Sequence, residues 1–396
     1  MKKSLLALAV LGAFAGAAQA QSSVSIYGII DTGVVYQSKV ATNSTGGTGS
    51  KFGLNSGVIQ GSRIGFKGVE NLGGGLSAVF NLETGFSNDT GGLQGSDATT
   101  GSNLFRRKSV VGLAGGFGTV LLGRQTDFAD TISAYTGVAD FGGWINNSGS
   151  GLNRLQGTRT NNSISYTTNN IGGFTGNLLY GFGEQAGQTS AGQAFGAGLK
   201  YENGPLGLGA SYYQSKANGT SPADTSLIPS TATTVTTNTL AANQGSSAYK
   251  GWNLVASYQF GPARVYGNWS RVKQDLNTQA NLTAAGVGSL TSVNNRLLSR
   301  SNKADMYEVG TAFALTPSLK LLAAVDHTRA QFDGVGGKGK QTSYNLGSDY
   351  WLSKRTDLYA FVSYLRASDI VNTGVSDSTG TDGNQAAVAI GIRHKF

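Results

Sequence analysis

Apolar and polar residues alternate with a period of two along most of the chain. In the segment 24–34, Val24, Ile26, Ile30 and Val34 share one parity, and polar or small residues occupy most of the other. This period is typical of a β-strand with one apolar and one polar face. The same pattern predicts sixteen strands, at residues 23–36, 60–70, 75–87, 104–115, 117–127, 158–169, 173–183, 192–203, 206–217, 248–260, 262–274, 303–315, 318–331, 340–352, 355–367 and 385–396.

A membrane protein built from such strands has to be a closed barrel. After residue 20, no apolar run reaches the roughly 20 residues that a membrane helix needs, and lipid offers no partner to an open sheet edge. A soluble β-sandwich would also alternate, but it would bury an apolar face, whereas here the second face is polar on strand after strand. The pattern therefore predicts an all-β fold, a sixteen-stranded antiparallel transmembrane β-barrel.

The connections between the predicted strands alternate between short and long. Tight turns such as Gly115-Gly116 and Gly261-Pro262 alternate with longer loops, of which 218–247 and 275–302 are the longest. In bacterial barrels the short turns face the periplasm and the long loops face the exterior. Aromatic residues near strand ends are expected to form girdles at the two membrane interfaces or contacts between subunits; they are Tyr36, Trp144, Tyr258, Trp269, Tyr350, Trp351 and Tyr364.

The amino terminus has the features of an export signal. Lys2 and Lys3 precede an apolar stretch at 5–18, and small residues flank a cleavage point after Ala20. We therefore expect residues 1–20 to be a signal peptide that is removed, and 21–396 to form the barrel. Loss of two lysines lowers the net charge from +9 to +7. Export excludes nucleic acid as a partner and leaves anionic solutes as partners for the basic excess.

The composition argues against an enzyme or a metal protein. The chain has no cysteine and only two histidines, which lie on different predicted strands. Such a chain lacks the usual residues for nucleophilic catalysis or for a metal cluster, so we expect no catalytic residue, no metal and no cofactor. The glycine-rich segment 334–341 approaches a phosphate-binding loop, but Gln341 replaces the required Ser or Thr and the segment joins two strands. It is interpreted as a flexible turn.

Several motifs, in a fixed order along the chain, carry a family resemblance. They lie at 25–31 (SIYGIID), 61–70 (GSRIGFKGVE), 72–76 (LGGGL), 115–125 (GGFGTVLLGRQ), 161–166 (NNSISY) and 391–396 (GIRHKF). With them the chain resembles a Gram-negative general porin of the beta-proteobacterial type.

The resemblance implies a general diffusion porin, a water-filled channel of the cell outer membrane for small hydrophilic solutes. It also implies a homotrimer, and a third outer loop that folds inward and narrows the pore opposite a ladder of arginines. Phe396 is similar to the carboxy-terminal assembly signal of the family, which implies contact with the outer-membrane assembly machinery and with outer-membrane lipid.

The third long connection, 127–153, is acidic within a basic protein. It holds Asp127, Asp130 and Asp140 and no lysine or arginine, so its local charge is −3. We expect these carboxylates to face a basic wall. Because guanidinium groups stay charged and attract anions without binding one tightly, such a wall favours an anion-preferring channel.

Strand parity predicts which charged residues form this wall. Arg63 and Lys67 alternate with apolar residues on the second predicted strand, as Arg159 does on the sixth and Glu83 on the third. Each of these four side chains is therefore expected in the lumen.

Two positions are left open by parity. If Val111 faces lipid, Arg106 and Lys108 point inward, yet the resemblance equally allows Arg107, because a bulge would exchange them. Alternation alone points Arg124 outward, and only the resemblance places it in the lumen.

Two other functions also stay open. A channel specific for one solute would have the same strand pattern. A surface adhesin or receptor barrel with a closed lumen would bind its partner through its long loops, and such interfaces are enriched in Trp, Tyr and Arg. The loops at 218–247 and 275–302 contain no aromatic residue and only Arg296 and Arg300 as arginines, which disfavours the adhesin.

Overall fold

The chain folds almost entirely into antiparallel β-strands. The computed structural model describes residues 23–41, 48–93, 104–146, 157, 159–184, 186–187, 189–190, 192–216, 248–274, 303–331, 337–370, 372, 374–375 and 383–396. The strands are β1 (Ser23–Ala41), β2 (Thr48–Ser56), β3 (Arg63–Gly73), β4 (Leu76–Gly85), β5 (Lys108–Gly115), β6 (Gly118–Thr126), β7 (Arg159–Thr167), β8 (Phe174–Gly181), β9 (Ala194–Asn203), β10 (Leu206–Lys216), β11 (Ala248–Phe260), β12 (Ala263–Gln274), β13 (Lys303–Ala314), β14 (Leu319–Gln331), β15 (Lys338–Trp351), β16 (Thr356–Ser368) and β17 (Asn384–Lys395).

Four short helical segments interrupt this pattern between β6 and β7. They are α1 (Ala129–Ile132), a 3₁₀ turn (Ser133–Tyr135), α2 (Val138–Phe141) and α3 (Gly143–Asn146). Among the described residues no helix is both long and apolar enough to cross a membrane.

The sheet closes on itself through its first and last strands. Strand β1 pairs with β17 from Ile29↔Lys395 to Gln37↔Ala387. Along its other edge, β1 pairs with β3 near its start and with β2 near its end. Strands β2 and β3 therefore share one position in the wall, and the seventeen segments form a closed barrel of sixteen strand positions. This confirms the predicted antiparallel sixteen-stranded barrel.

Most strand boundaries agree with the prediction to within a few residues, and two differ in an informative way. The prediction missed β2, because its sequence TGSKFGLNS has only two large apolar side chains and otherwise consists of residues typical of loops. Strand β5 begins at Lys108, four residues later than predicted. The predicted signal peptide at 1–20 and the loops at 218–247 and 275–302 lie outside the described residues.

Large apolar side chains cover the outer face of the barrel. Val111, Val309, Leu346 and Ile390 are each at least 60% exposed, at positions that alternate with buried or half-buried residues. Exposing this much apolar surface to water would be costly at about 25 cal/mol per Å². Lipid is the environment in which such a surface is stable, as expected for a transmembrane barrel.

Part of the inner face is apolar, which the predicted pattern of a polar second face does not describe. Leu322 of β14, Phe361 and Leu365 of β16, and Ala387 and Ala389 of β17 are buried inside the barrel. They pack against the chain segment 58–59 and against the loop between β6 and β7. Part of the lumen is therefore filled with chain and needs an apolar wall.

Asp31 of β1 holds the segment between β2 and β3 against this inner wall. Its Oδ2 accepts hydrogen bonds from the backbone amides of Ile59 at 2.9 Å and Gln60 at 2.7 Å. Its Oδ1 accepts one from the Tyr359 hydroxyl at 2.7 Å. Asp31 is fully buried, so the carboxylate depends on these three donors for its hydrogen bonds.

We expect Asp31→Ala to destabilise the folded barrel. The substitution leaves three donors without their acceptor, and each unsatisfied buried group costs about 1–3 kcal/mol. The temperature at which the barrel converts from its fast-migrating folded form to the unfolded form in SDS gels should fall. Tyr359→Phe removes one of the three hydrogen bonds and should lower this temperature less. Equal midpoints for Asp31→Ala and the unmodified protein would contradict the assignment.

Candidate functional site

The helical loop between β6 and β7, residues 127–146, is folded into the barrel. It starts at Asp127, whose Oδ1 accepts a hydrogen bond from the Ala129 amide at 2.9 Å. The buried side chains of Phe128, Ile132 and Tyr135 then pack on the inner wall together with Val255 of β11. The predicted inward-folded third loop is confirmed.

Glycines on the inner wall make room for this loop. A Cβ atom added at Gly209 would lie 2.6 Å from Ile132 Cγ2, and one at Gly207 would lie 2.7 Å from the Tyr135 ring. One added at Gly198 would overlap the ring of Phe128. Because real Cβ atoms do not approach other atoms so closely, these wall positions of β9 and β10 require glycine while the loop is docked.

Polar side chains from distant strands fix the far end of the loop. Arg264 of β12 forms an ion pair with Asp140, and its guanidinium also donates to the carbonyl oxygens of Ala134 at 2.9 Å and Thr136 at 3.1 Å. Glu308 of β13 accepts a 2.6 Å hydrogen bond from the Gly137 amide. These contacts join the loop to two neighbouring strands.

Trp144 in α3 completes the docking. Its Nε1 donates to the Ser363 hydroxyl of β16 at 2.7 Å, and its ring packs against Phe361 with a centroid distance of 6.1 Å. Trp144 is buried, so its predicted place in an aromatic girdle is wrong. Trp351 shares the parity of the buried Asp349, and the buried Arg393 lies over its ring, so its predicted place in a girdle is wrong as well.

A cluster of arginines surrounds one glutamate near β3, β4 and β5. Arg107 Nε donates to Glu83 Oε1 at 2.6 Å, and Arg63 Nη1 lies 3.8 Å from the same oxygen. The Tyr27 hydroxyl donates to Glu83 Oε2 at 2.9 Å. Arg159 of β7 is also close enough for its charge to interact with Arg107 and Glu83. We call Arg63, Arg107 and Arg159 the arginine cluster.

The three acidic loop residues have three different surroundings. Asp130 interacts electrostatically with Arg159, Arg107 and Arg63. Asp127 begins the helical segment, and Asp140 pairs with Arg264. Asp130 thus interacts with the charges of the arginine cluster, whereas Asp140 pairs with a different arginine.

The ambiguity at residues 106–108 has a structural explanation. Alternation does not constrain Arg107, because β5 begins only at Lys108, and so Arg107 reaches Glu83 although Lys108 stands opposite Glu83 in the strand register. Lys108 and Lys67 both line an inner cavity of about 390 Å³. Arg106 contributes its carbonyl oxygen, which accepts a 2.5 Å hydrogen bond from Arg124 Nε.

Arg124 lies at an irregularity that sequence parity could not reveal. The pairing of β6 with β7 shifts register between Gly123 and Gln125, and Gly123 has a φ of 125°. Arg124 donates to the side chain of Asn161, and its charge acts on Arg159. The shift lies opposite Arg124 on β7, whereas β6 keeps its own alternation, with Leu122 exposed, Gln125 buried and Arg124 paired with Ser109 of β5.

Phe396 lies at the seam where the barrel closes. Its amide donates to the Gly28 carbonyl at 3.1 Å, and the Gly28 amide donates to the Phe396 carbonyl at 3.0 Å. An added Cβ at Gly28 would overlap the Phe396 ring. Phe396 is 40% exposed on the outer face, and its ring lies over Gly28 of β1.

Sequence reasoning missed Arg264 and Glu308, although a signal for both was present. Arg264 shares its parity with Tyr266 and Asn268, and Glu308 lies between Tyr307 and Val309, which are exposed on the outer face. Parity alone would have been enough to place both side chains in the lumen. Their role could not be inferred, because nothing in the local sequence shows that the loop docks there.

A closed barrel with an apolar outer face and an inward loop beside a charged cluster defines a membrane channel. The family model for Gram-negative porins matches residues 7–370. The chain is 33% identical to outer membrane porin protein 32 of Delftia acidovorans and 31% identical to an outer membrane porin of Bordetella pertussis, each over 100% of both chains. Among solved structures it is similar to the anion-selective porin from Comamonas acidovorans, with a TM-score of 0.67 and 27% identity over 95% of this chain and 100% of that one.

The chain therefore belongs to the Gram-negative porin family. It is an outer membrane diffusion channel and not an enzyme.

Proposed function

We propose that this porin prefers anions, and that the arginine cluster and the loop residue Asp130 form its selectivity region. The observation that carries the proposal is the grouping of Arg63, Arg107 and Arg159 around Glu83. Three guanidinium charges face two carboxylates, Glu83 and Asp130, so the region has a net charge of +1.

Features of the cluster suit transient contact with anions. Arg107 binds Glu83 through Nε, so its two terminal guanidinium nitrogens take no part in that hydrogen bond. A permeating anion can exchange hydration for such donors and still leave, which is what conduction requires.

Lys67 and Lys108 extend the basic surface beyond the cluster. Lys67 Nζ lies 5.4 Å from the centroid of the Tyr27 ring, and Tyr27 in turn contacts Glu83. Both lysines line the 390 Å³ inner cavity. We propose that they raise the local anion concentration on one side of the arginine cluster. The anion-selective porin of Comamonas acidovorans, a structural relative, is consistent with this preference.

The reversal potential in a salt gradient tests the anion preference. We expect the purified porin, reconstituted in a planar bilayer between unequal KCl solutions, to give a reversal potential with the sign of chloride preference. Because the arginine charges are screened within about 10 Å at 0.1 M salt, the preference should weaken as the salt concentration rises. Potassium preference would contradict the proposal, and block by one solute at low concentration would indicate a solute-specific channel.

We further propose that the mature chain begins at Gln21 and assembles as a homotrimer, as the family resemblance implies. Phe396 would then act during assembly, and its exposed ring at the barrel seam supports a position accessible to another protein. The apolar outer face provides the surface for contact with lipid and with neighbouring subunits.

A further inference from the structure

A group of basic side chains lies on the outer face of the barrel, at the end where the long loops emerge. Lys303 begins β13, Arg329 is near the end of β14, and Lys338 and Lys340 begin β15. With His327, Asp305 and Asp369 they line a cavity of about 530 Å³. We call these four basic residues the outer basic patch.

Strand alternation directs the patch away from the lumen. Tyr307 and Val309 share the parity of Lys303, and Tyr344 and Leu346 share that of Lys340, and all four are more than 40% exposed. The intervening residues of these strands, such as Glu308 and Asn345, are buried and contact the inner loop or other lumenal groups. The patch therefore takes no part in the pore.

Like charges stand directly opposite each other in the patch. Arg329 is the register partner of Lys340, and side chains so paired have Cβ atoms only about 4.5–5.5 Å apart, where like charges are destabilising. A second such pair, Lys250↔Lys273, lies two strands away, at the same end of the barrel.

The nearby carboxylates offset only part of this charge. Asp305 stands opposite Arg329 in the strand register, but it also accepts a 2.6 Å hydrogen bond from Arg271 and lies 3.7 Å from Lys303, so its one charge is shared among three cations. Asp369 accepts a hydrogen bond from the Ser368 hydroxyl. Within the described part of the chain, no ion pair joins Lys338 or Lys340 to a carboxylate. The cavity lining has four cations and two carboxylates, so its net charge is +2 with His327 neutral.

The position of the patch indicates what kind of anion it meets. Lys340 is four residues from Tyr344 on β15, and Lys303 is four residues from Tyr307 on β13, or roughly 13 Å at 3.3 Å per residue. Exposed Tyr side chains mark the membrane interface, and the apolar surface of Val309, Val325 and Leu346 lies below them. The basic residues lie beyond these tyrosines, on the side away from the apolar surface, and are therefore at the level of the lipid head groups.

We propose that the outer basic patch binds the phosphate group of an anionic lipid in the outer leaflet. Arg329 provides a planar guanidinium that pairs with two phosphate oxygens, and the lysines provide point charges around it. The acyl chains of that lipid lie along the apolar wall of β13 to β15. A phosphate between Arg329 and Lys340 removes the repulsion between them. The continuity of the patch with the apolar wall favours a lipid over free phosphate.

The amount of lipid bound by a patch variant and by a matched control variant tests this proposal. The variant Arg329→Gln with Lys340→Gln removes two charges from the patch, and Lys354→Gln with Arg355→Gln removes two from an exposed turn at the opposite end of the barrel. Each protein is mixed with micelles containing either dioleoylphosphatidic acid or dioleoylphosphatidylcholine, and bound lipid is counted by native mass spectrometry. Each basic residue near a membrane surface contributes about 1 kcal/mol to the binding of an anionic lipid. The amount of phosphatidic acid bound to the patch variant should therefore fall at least about tenfold. The control should match the unmodified protein, and phosphatidylcholine should bind all three equally.

Other outcomes would overturn the proposal. Equal retention of phosphatidic acid by the patch variant and the unmodified protein would remove the patch as the site. An equal loss of phosphatidic acid in the control variant would show that the overall charge of the protein, and not the patch, sets lipid binding. Complete displacement of phosphatidic acid by inorganic phosphate would make free phosphate the ligand. The bilayer reversal potential of the patch variant should equal that of the unmodified protein, which also verifies that the barrel is folded.

Discussion

Replacing Arg107 and Arg159 by glutamine is expected to reverse the ion preference of the channel. Together with Arg63 these residues face Glu83 and Asp130. Removing two of three guanidinium charges changes the local net charge from +1 to −1. The reversal potential in a KCl gradient should therefore change sign toward potassium.

The size of this change follows from the distance between the arginines and a permeating ion. At about 6 Å in water, one unit charge contributes about 0.7 kcal/mol, so two contribute about 1.4 kcal/mol before screening. Screening at 0.1 M salt reduces this to roughly half. Because the same change disfavours chloride and favours potassium, we expect the chloride-to-potassium permeability ratio to fall about tenfold to a hundredfold, with the larger value at low salt.

A matched control separates this local effect from a general change in charge. Lys354→Gln with Arg355→Gln also removes two positive charges, but at an exposed turn far along the chain from the cluster. It should leave the reversal potential unchanged. A permeability ratio for Arg107→Gln with Arg159→Gln equal to that of the unmodified channel would show that the cluster does not set selectivity.

Removing the anchors of the inward loop is expected to widen the channel and increase its current noise. Arg264→Ala removes the partner of Asp140 and two donors to the carbonyls of Ala134 and Thr136. Glu308→Ala removes the acceptor of the Gly137 amide. Each group left without its partner costs about 1–3 kcal/mol in the docked state, so the double variant favours a displaced loop.

Single-channel recording and solute uptake measure this effect. The double variant should show a higher mean conductance, larger open-channel fluctuations, and faster liposome swelling with the larger members of a sugar series. Arg355→Ala, which removes an exposed arginine from a turn, should behave as the unmodified protein does. Unchanged conductance and sugar cut-off in the double variant would mean that the apolar contacts of Ile132 and Trp144 hold the loop without these anchors.

The strand positions and the lipid-facing residues were predictable, because they depend on local alternation. Val24 and Ile26 were assigned to one face by parity and are exposed on the outer face, and the wall has the predicted sixteen positions. The failures occurred where alternation is weak or broken. Strand β2 is too rich in glycine and polar residues to be recognised, and the register shift between β6 and β7 was not foreseen.

The candidate site was predictable only in its composition. The acidic loop and several basic wall residues were identified as separate sets, but not which members meet. Asp130 interacts with the charges of the arginine cluster, whereas Asp140 pairs with Arg264, which was not considered. Arg107 reaches Glu83 because it precedes the first residue of β5, a boundary that parity could not locate.

By itself, the sequence determined the class of fold and the side of the wall on which most residues lie, because a two-residue period needs only neighbouring residues. The tertiary structure decided which part of the inner wall is covered by chain and where the loop is held. Those contacts join groups far apart along the chain: 171 positions separate Gly137 from Glu308, 219 separate Trp144 from Ser363, and 328 separate Asp31 from Tyr359. Closure of the barrel brings these residues together. A local sequence pattern cannot predict such contacts, because it relates only residues that are close along the chain.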